Sequence, residues 1–386
     1  MKNIKPQSGY IMIFALLVIA ASMVIVAYVG HRGSVHAPFM YMSIAREKAK
    51  LIALSGVQIA IAQLAKGEAK EQSSSAKASD SVKATSDRSA DKQIDASKDK
   101  NKASDKPASG KETEQKELLQ RILPTLNRWQ TFDLKEDIDG IDAQLSVCLM
   151  CEEGKINLNR VYNFKKEQFR GDKEKGWKAI MQELCKTIEK TAKVTDLFPV
   201  FEKTFKERRS KYNDATELLL KKEFSAFKDL LFYEPLMADK EKKDKKHQQI
   251  YLTDIFTVWS SSGKIEPWLF SNSLAILFGL PQAEAQDGKK RAEQVGEWLK
   301  NFKQKANWQK DWKTILQPMY GKELRTLPKN IDSVLSDTFD PHFFSVRVHA
   351  KVGEVTQRAY AILERNKRSQ GNNSEYDIIL KKLYWL

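Results

Sequence analysis

The side chains best suited to chemistry are thinly spread along this chain of 386 residues. Its five histidines are His31, His36, His247, His342 and His349. Only the first two and the last two fall near one another, and in a strand His342 and His349 project to opposite faces, which argues against a shared metal ion. The chain contains no HExxH, no GxSxG and no phosphate-cradling glycine loop. Glu152 and Glu153 could suggest an acid and a base, but adjacent carboxylates at a turn are expected in solvent. The three cysteines make no disulfide framework. Cys148 and Cys151 would lie about 10 Å apart on opposite faces of a strand, and Cys185 falls in a helical pattern. Three buried free thiols are expected. An enzyme reading therefore finds little support.

The net charge of +15, from 65 Lys and Arg against 50 Asp and Glu, allows contact with an acidic partner or simply a well-solvated basic surface. Within residues 283–317, Trp298, Phe302, Trp308 and Trp312 are distributed among lysines. Such interleaving can stack single-stranded nucleic acid. The helical spacing of Trp298 and Phe302 favours an amphipathic core helix, with the rings inside and the lysines in water.

The elements that position these groups fall into two kinds. HFFSVRVHAKVG sets Phe344, Val346, Val348, Ala350 and Val352 against polar neighbours. VTQRAYAILER returns, and YDIILKKLYWL follows a polar tip, which predicts a three-stranded antiparallel meander. A further strand is predicted over Gln144–Cys151, followed by an acidic turn and Gly154-Lys155-Ile156-Asn157-Leu158-Asn159. Asn157 and Asn159 can bond back to nearby backbone and cap the helix that follows. From Tyr162 to about Ala238 the pattern is helical. A looser copy of the corner comes 109 residues after the first, at Gly263-Lys264-Ile265. Glu266, Pro267 and Trp268 stand after it, and a helix can still start there.

At the amino end, no charged side chain occurs from Tyr10 to Val29. About 20 such residues at 1.5 Å each cross a hydrocarbon core of about 30 Å. Lys2 and Lys5 favour a cytoplasmic amino end, with the remainder sent across. Two glycines and Pro38 in residues 30–38 predict a kink or break. Helical pattern resumes to Leu64, with Ile44, Leu51, Leu54, Val57, Ile61 and Leu64 near one stripe. Residues 66–117 carry twelve Lys or Arg against eleven Asp or Glu and hardly any large aliphatics. This tract is expected to be a disordered loop.

The apolar run that starts directly after Gly9 resembles the signal of type IV pilins and pseudopilins, which a prepilin peptidase cuts between Gly9 and Tyr10. Phe14 then stands where most of that family carry a glutamate. That departure, the small-residue pattern in AREKAKLIALSGVQIA, the GKINLN hexapeptide, the second GKI and the closing Tyr384-Trp385 resemble the minor pseudopilin K of type II secretion. The resemblance covers about 1–65 and 118–386.

It implies an α+β fold, with a pilin-like N-terminal helix packed on an antiparallel sheet and a large inserted helical domain. The parts would be a leader (1–9), a transmembrane helix (10–29), a periplasmic helix (30–65), the low-complexity loop (66–117), a first pilin-like part (118–161), the insert (162–327) and the closing sheet (328–386). The implied role is to cap and nucleate a pseudopilus at its tip. The chain would sit in the bacterial inner membrane with its bulk in the periplasm. The partners implied are the I and J minor pseudopilins, the major pseudopilin and the peptidase. Calcium is the one ion implied, with no ligand assigned. The competing reading is a minor pilin of a DNA-uptake or adhesive pilus, whose basic domain binds nucleic acid. Nucleic acid is the less expected partner.

Overall fold

Two strands that lie far apart in sequence meet at the centre of the fold. The computed structural model describes residues 8–65, 110–171, 176–192, 197–233, 249–283, 286–367 and 376–386. Its main sheet has five antiparallel strands in the order β1 (Trp129–Leu134), β2 (Ala143–Cys151), β7 (Phe343–Val352), β8 (Val355–Lys367) and β9 (Tyr376–Trp385). Short strands β3 (Ile156–Asn157), β4 (Tyr162–Asn163), β5 (Gln168–Phe169) and β6 (Phe256–Thr257) lie between β2 and β7 in the chain. The β2–β7 ladder runs from Gln144 opposite Lys351 to Cys151 opposite Phe344. The parts before and after the helical region therefore share one sheet. The α+β class and the meander read from sequence are both present.

Helix α1 (Ser8–Leu64) lays its last turns on this sheet. It runs unbroken through 30–38, so of the expected kink or break the break does not form. Pro38 removes one backbone hydrogen bond at a cost of about 3 kcal/mol, and the turns on either side keep theirs. The buried face also differs from the expected stripe. Ala49, Ala53, Gly56, Val57, Ala60 and Leu64 are buried, whereas Ile44, Leu51 and Leu54 are 52%, 65% and 37% exposed. Small residues win this face because the helix axis lies close to the strands. A Cβ on Gly56 would stand 2.7 Å from Val348 Cγ1.

Residues 66–109 of the expected disordered loop lie outside the described residues. Its last part is a correction, because α2 (Gly110–Ile122) begins at Gly110. Glu112 in the first turn and Arg121 in the last suit the helix dipole. The buried Gln115 donates to Asp340 Oδ1 at 3.0 Å, tying this helix to the approach to β7.

The remaining helices are α3 (Glu136–Asp139), α4 (Leu158–Val161), α5 (Trp177–Ala192), α6 (Phe198–Glu207), α7 (Leu252–Ile255), α8 (Asn272–Leu277), α9 (Gly288–Trp298), α10 (Trp308–Ile315) and α11 (Gln317–Tyr320). Residues 215–220 and 222–227 form tight 3₁₀ turns, the first opened by an Asp214–Glu217 capping box. The region from α4 to α11 covers the sheet face opposite α1. Cys148, Met150, Tyr360 and Ile362 on that face pack with Tyr233 and Tyr251. Sequence alternation placed polar residues of β7 opposite its apolar face, yet Ser345 and Arg347 are 0% and 2% exposed. Arg347 lies over the Phe232 ring at 4.6 Å. The central strands β2, β7 and β8 thus form a middle layer with both faces covered.

At its far edge β9 carries a bulge. Ile362 pairs with Lys382 and Leu363 with Leu380, which leaves Lys381 as the extra residue. A bulge that bears lysine discourages another strand from adding there.

Candidate functional site

The chemistry-bearing groups converge where β2 ends. Glu152 and Glu153 follow Cys151 directly, and both are buried, at 1% and 3% exposure. This overturns the expectation of solvated turn carboxylates. The reason is the layer that covers them, which comes from segments more than a hundred residues away. Lys155 Nζ donates to Glu152 Oε1 at 2.5 Å, and the lysine itself is 1% exposed. Ser345 Oγ donates to the same oxygen at 2.5 Å, Tyr360 reaches it at 3.4 Å, and Thr257 Oγ1 donates to Oε2. One carboxylate thereby joins the first corner, two strands of the closing sheet and the insert.

Burial pulls the Lys155 ammonium down, but Glu152, by charge and hydrogen bond, together with Tyr360 and Asp254 more than offsets it and holds the lysine above its ordinary value. A buried pair of this kind does not stabilise much by itself, because desolvating both ions cancels most of their attraction. Losing one partner is costly.

Glu153 makes a second clasp. Its carboxylate accepts the backbone N–H groups of His342 and Phe343 at 3.1 Å, at the mouth of β7. Ser261 Oγ donates to it at 3.4 Å, from the second corner. Burial lifts this carboxyl to about 7, and the two N–H groups pull against that rise. Burial also pushes the Cys151 thiol well up. All three cysteines are free and buried.

The hexapeptide forms the turn that presents these groups. Gly154 packs so closely that a Cβ would fall 1.7 Å from the Leu269 carbonyl oxygen. Ile156 and Asn157 form β3, which pairs in parallel with Phe256 and Thr257 of β6. Asn157 accepts the Asn159 N–H at 2.9 Å and caps α4, while its amide donates to Ser260 O at 2.8 Å. Asn159 does not cap. It clasps Tyr212 instead, donating to its carbonyl at 2.8 Å and accepting its N–H at 2.7 Å. Leu158 is fully buried.

The second corner has the same local shape. Asn157 has φ −83°, ψ 107°, and Glu266, at the corresponding position, has φ −81°, ψ 109°. Each side chain accepts the N–H two residues ahead. Glutamate thus performs the capping that asparagine performs in the first copy. The two corners also interlock, since Glu266 N donates to Glu153 O at 2.8 Å and Ser271 N donates to Gly154 O at 3.3 Å. Their lysines differ in setting. Lys264 pairs with Asp337 at 3.3 Å near the surface, whereas Lys155 is enclosed.

Gly9, Tyr10 and Phe14 lie on α1, and their side chains fall outside the described ones. Among the described residues, no helix is long and apolar enough to cross a membrane. Side chains in the apolar run are described only from Leu17 to Tyr28, short of the roughly 20 positions a span requires. Among the described residues, no three His, Cys, Asp or Glu side chains converge as a metal site, and no calcium ligand is assigned. Trp298, Phe302, Trp308 and Trp312 are all buried, so these rings form no stacking surface for nucleic acid.

Sequence reasoning found the corner but missed Thr257, Ser345 and Tyr360. Ser345 was the one available signal, as a small polar residue within an otherwise bulky strand.

No family model matches the chain, and no curated protein matches it. Among solved structures it is similar to a chain from the crystal structure of the GspK-GspI-GspJ complex of the enterotoxigenic Escherichia coli type 2 secretion system. The identity is 15% over 71% of this chain and 92% of that chain, with a TM-score of 0.32.

Proposed function

We propose that this chain is a minor pseudopilin of the K type, working at the tip of a type II secretion pseudopilus. One observation carries the reading: a single long N-terminal helix supports a sheet whose two halves flank a large helical insert. The helix face turned away from the sheet leaves Ile44 and Leu51 exposed, and Phe39 and Met42 are exposed in the turns that precede the sheet-packed ones. In this reading that face packs against the helices of I-type and J-type partners and of the major pseudopilin. The insert blocks a further subunit from stacking ahead, so filament growth proceeds below it. The uncharged run from Tyr10 to Val29 anchors the protein in the bacterial inner membrane until assembly, with the bulk in the periplasm. A prepilin peptidase removes residues 1–9. Phe14 suits a leading subunit, which has no terminal amine ahead of it to neutralise.

Mass spectrometry of protein extracted from membranes tests the processing. A mature chain beginning at Tyr10 is expected, and one that retains Met1 or is cut beyond Val29 counts against the reading. The partner claim is tested separately, by mixing the soluble part with I-type and J-type soluble domains. A stable ternary complex formed without nucleic acid is expected. A steep, salt-sensitive affinity for DNA in its place would favour the nucleic-acid alternative.

A further inference from the structure

Where the insert meets the outer face of β8 and β9 there is a cavity of about 250 Å³, which Glu152, Thr257 and Tyr360 of the cluster above border on one side. Its walls are rings: Phe232, Phe256, Trp259, Tyr360 and Tyr384. An apolar cavity of about 150 Å³ is known to stay dry and admit benzene, so this space suits a single or fused ring.

Polar groups at its edge decide the charge of the occupant. Glu152 is engaged by Lys155, Thr257, Ser345 and Tyr360. Asp214 accepts the Thr216 N–H at 2.9 Å and the Tyr384 hydroxyl. Two carboxylates in the lining disfavour an anion. An aromatic enclosure can also hold a cation, but two of these rings already face one. Arg347 lies 4.6 Å from the Phe232 centroid and Lys382 lies 4.5 Å from that of Tyr384. Thr253 Oγ1 is likewise committed, donating to Leu231 O at 2.7 Å.

We propose that this cavity is a binding site for a small, uncharged aromatic molecule held by ring contacts rather than by ion pairing. The inference is independent of the pseudopilin reading, since it rests on the walls of the cavity alone.

The test uses the full chain in detergent and three probes: 5-fluoroindole, benzoate and choline. Fluorine NMR should show saturable line broadening of 5-fluoroindole. Calorimetry should show no saturable heat with benzoate or choline. Val258→Trp fills the space from one wall and should weaken 5-fluoroindole binding by at least about tenfold. Thr216→Phe fills it from another side and leaves the backbone N–H to Asp214 in place, so it serves if the first variant does not fold. Absence of saturable broadening overturns the proposal. Preference for choline or benzoate overturns the assigned class, and binding undiminished in both folded variants overturns the location.

Discussion

Gly154 lies against the backbone carbonyl of Leu269, and this contact between two segments 115 residues apart fixes how the two corners dock. A methyl group on Gly154 cannot be absorbed by a side-chain rotation, because the obstacle at 1.7 Å is backbone. Gly154→Ala is expected to destabilise by about 3 kcal/mol or more, at or above the usual range for overpacking. Gly296→Ala is the control. That glycine sits exposed in α9 with nothing within 4 Å of its Cβ, and alanine there should stabilise by about 1 kcal/mol. Urea unfolding of both variants checks the contrast.

The contact between α1 and the sheet makes a second, milder prediction. Gly56→Ala pushes on Val348 Cγ1 at 2.7 Å, Leu145 Cδ1 at 3.0 Å and Val147 Cγ2 at 3.2 Å. These are branched side chains with little rotamer freedom at Val348 and Val147. A loss of about 1–3 kcal/mol is expected. Adding Val348→Ala should recover part of it, so the double variant should lose less than the sum of the two single losses. Strict additivity in that cycle would show that helix and strand do not touch as described.

Lys155→Met leaves Glu152 enclosed without its cation, and a loss of about 3–5 kcal/mol is expected. Lys155→Met combined with Glu152→Gln removes both charges. It should be markedly less damaging than the single change, because the desolvation penalty goes with them. Equal damage in the two would mean that the pair matters through shape alone. Thermal unfolding at one ionic strength suffices to compare them.

The pH dependence follows from the buried Glu153 and the half-buried His349, which act in opposite directions. Glu153 titrates near 7 in the fold because burial raises it from 4.5. Between those values the folded chain keeps a proton that the unfolded chain has released, so this group makes stability fall as pH rises. Burial lowers the His349 imidazole from 6.5 to about 3, and Arg347 and Arg358 add to that. Between those values the unfolded chain takes up a proton that the folded one refuses, so stability falls as pH drops. Each group contributes at most about 1.4 kcal/mol per pH unit, and where the windows overlap they oppose each other. Glu153→Gln should therefore make the protein more acid-sensitive between about pH 4.5 and about pH 6.5, and His349→Asn less so. Urea midpoints across that range check this, and slopes unchanged from wild type in either variant would remove that group from the account.

The local elements were legible because their signals are local. The alternation of Phe344, Val346, Val348 and Ala350 marks a strand, and all four are at 0% exposure, though Ser345 and Arg347 on the other face are covered as well. The spacing of Trp298 and Phe302 pointed inward, where both rings lie. What failed depended on coverage from elsewhere. Nothing adjacent to Glu152 announces that Thr257, Ser345 and Tyr360 will close over it. The large aliphatics Leu51 and Leu54 looked like the packing face of α1, but the distance to the strands selects Ala49, Ala53, Gly56 and Ala60. Periodicity identifies an apolar side without revealing how close its partner will come.

The pairing of β2 with β7 also has a bearing on the order in which the chain can mature. Cys151, at the end of β2, faces Phe344, so β2 has no inner neighbour until about 190 further residues have been synthesised. Closing so long a loop adds only about 0.6 kcal/mol per doubling of length, which equilibrium stability tolerates. It slows folding, because distant contacts must be found before they contribute. A nascent chain halted before Phe343 would hold Val147 and Leu149 on one side and Cys148 and Met150 on the other with β1 as its one neighbouring strand in the main sheet. Such an intermediate depends on whatever shields hydrophobic edges in its compartment. Completion of the tertiary structure therefore waits for the carboxyl-terminal strands, however early the amino-terminal helix forms.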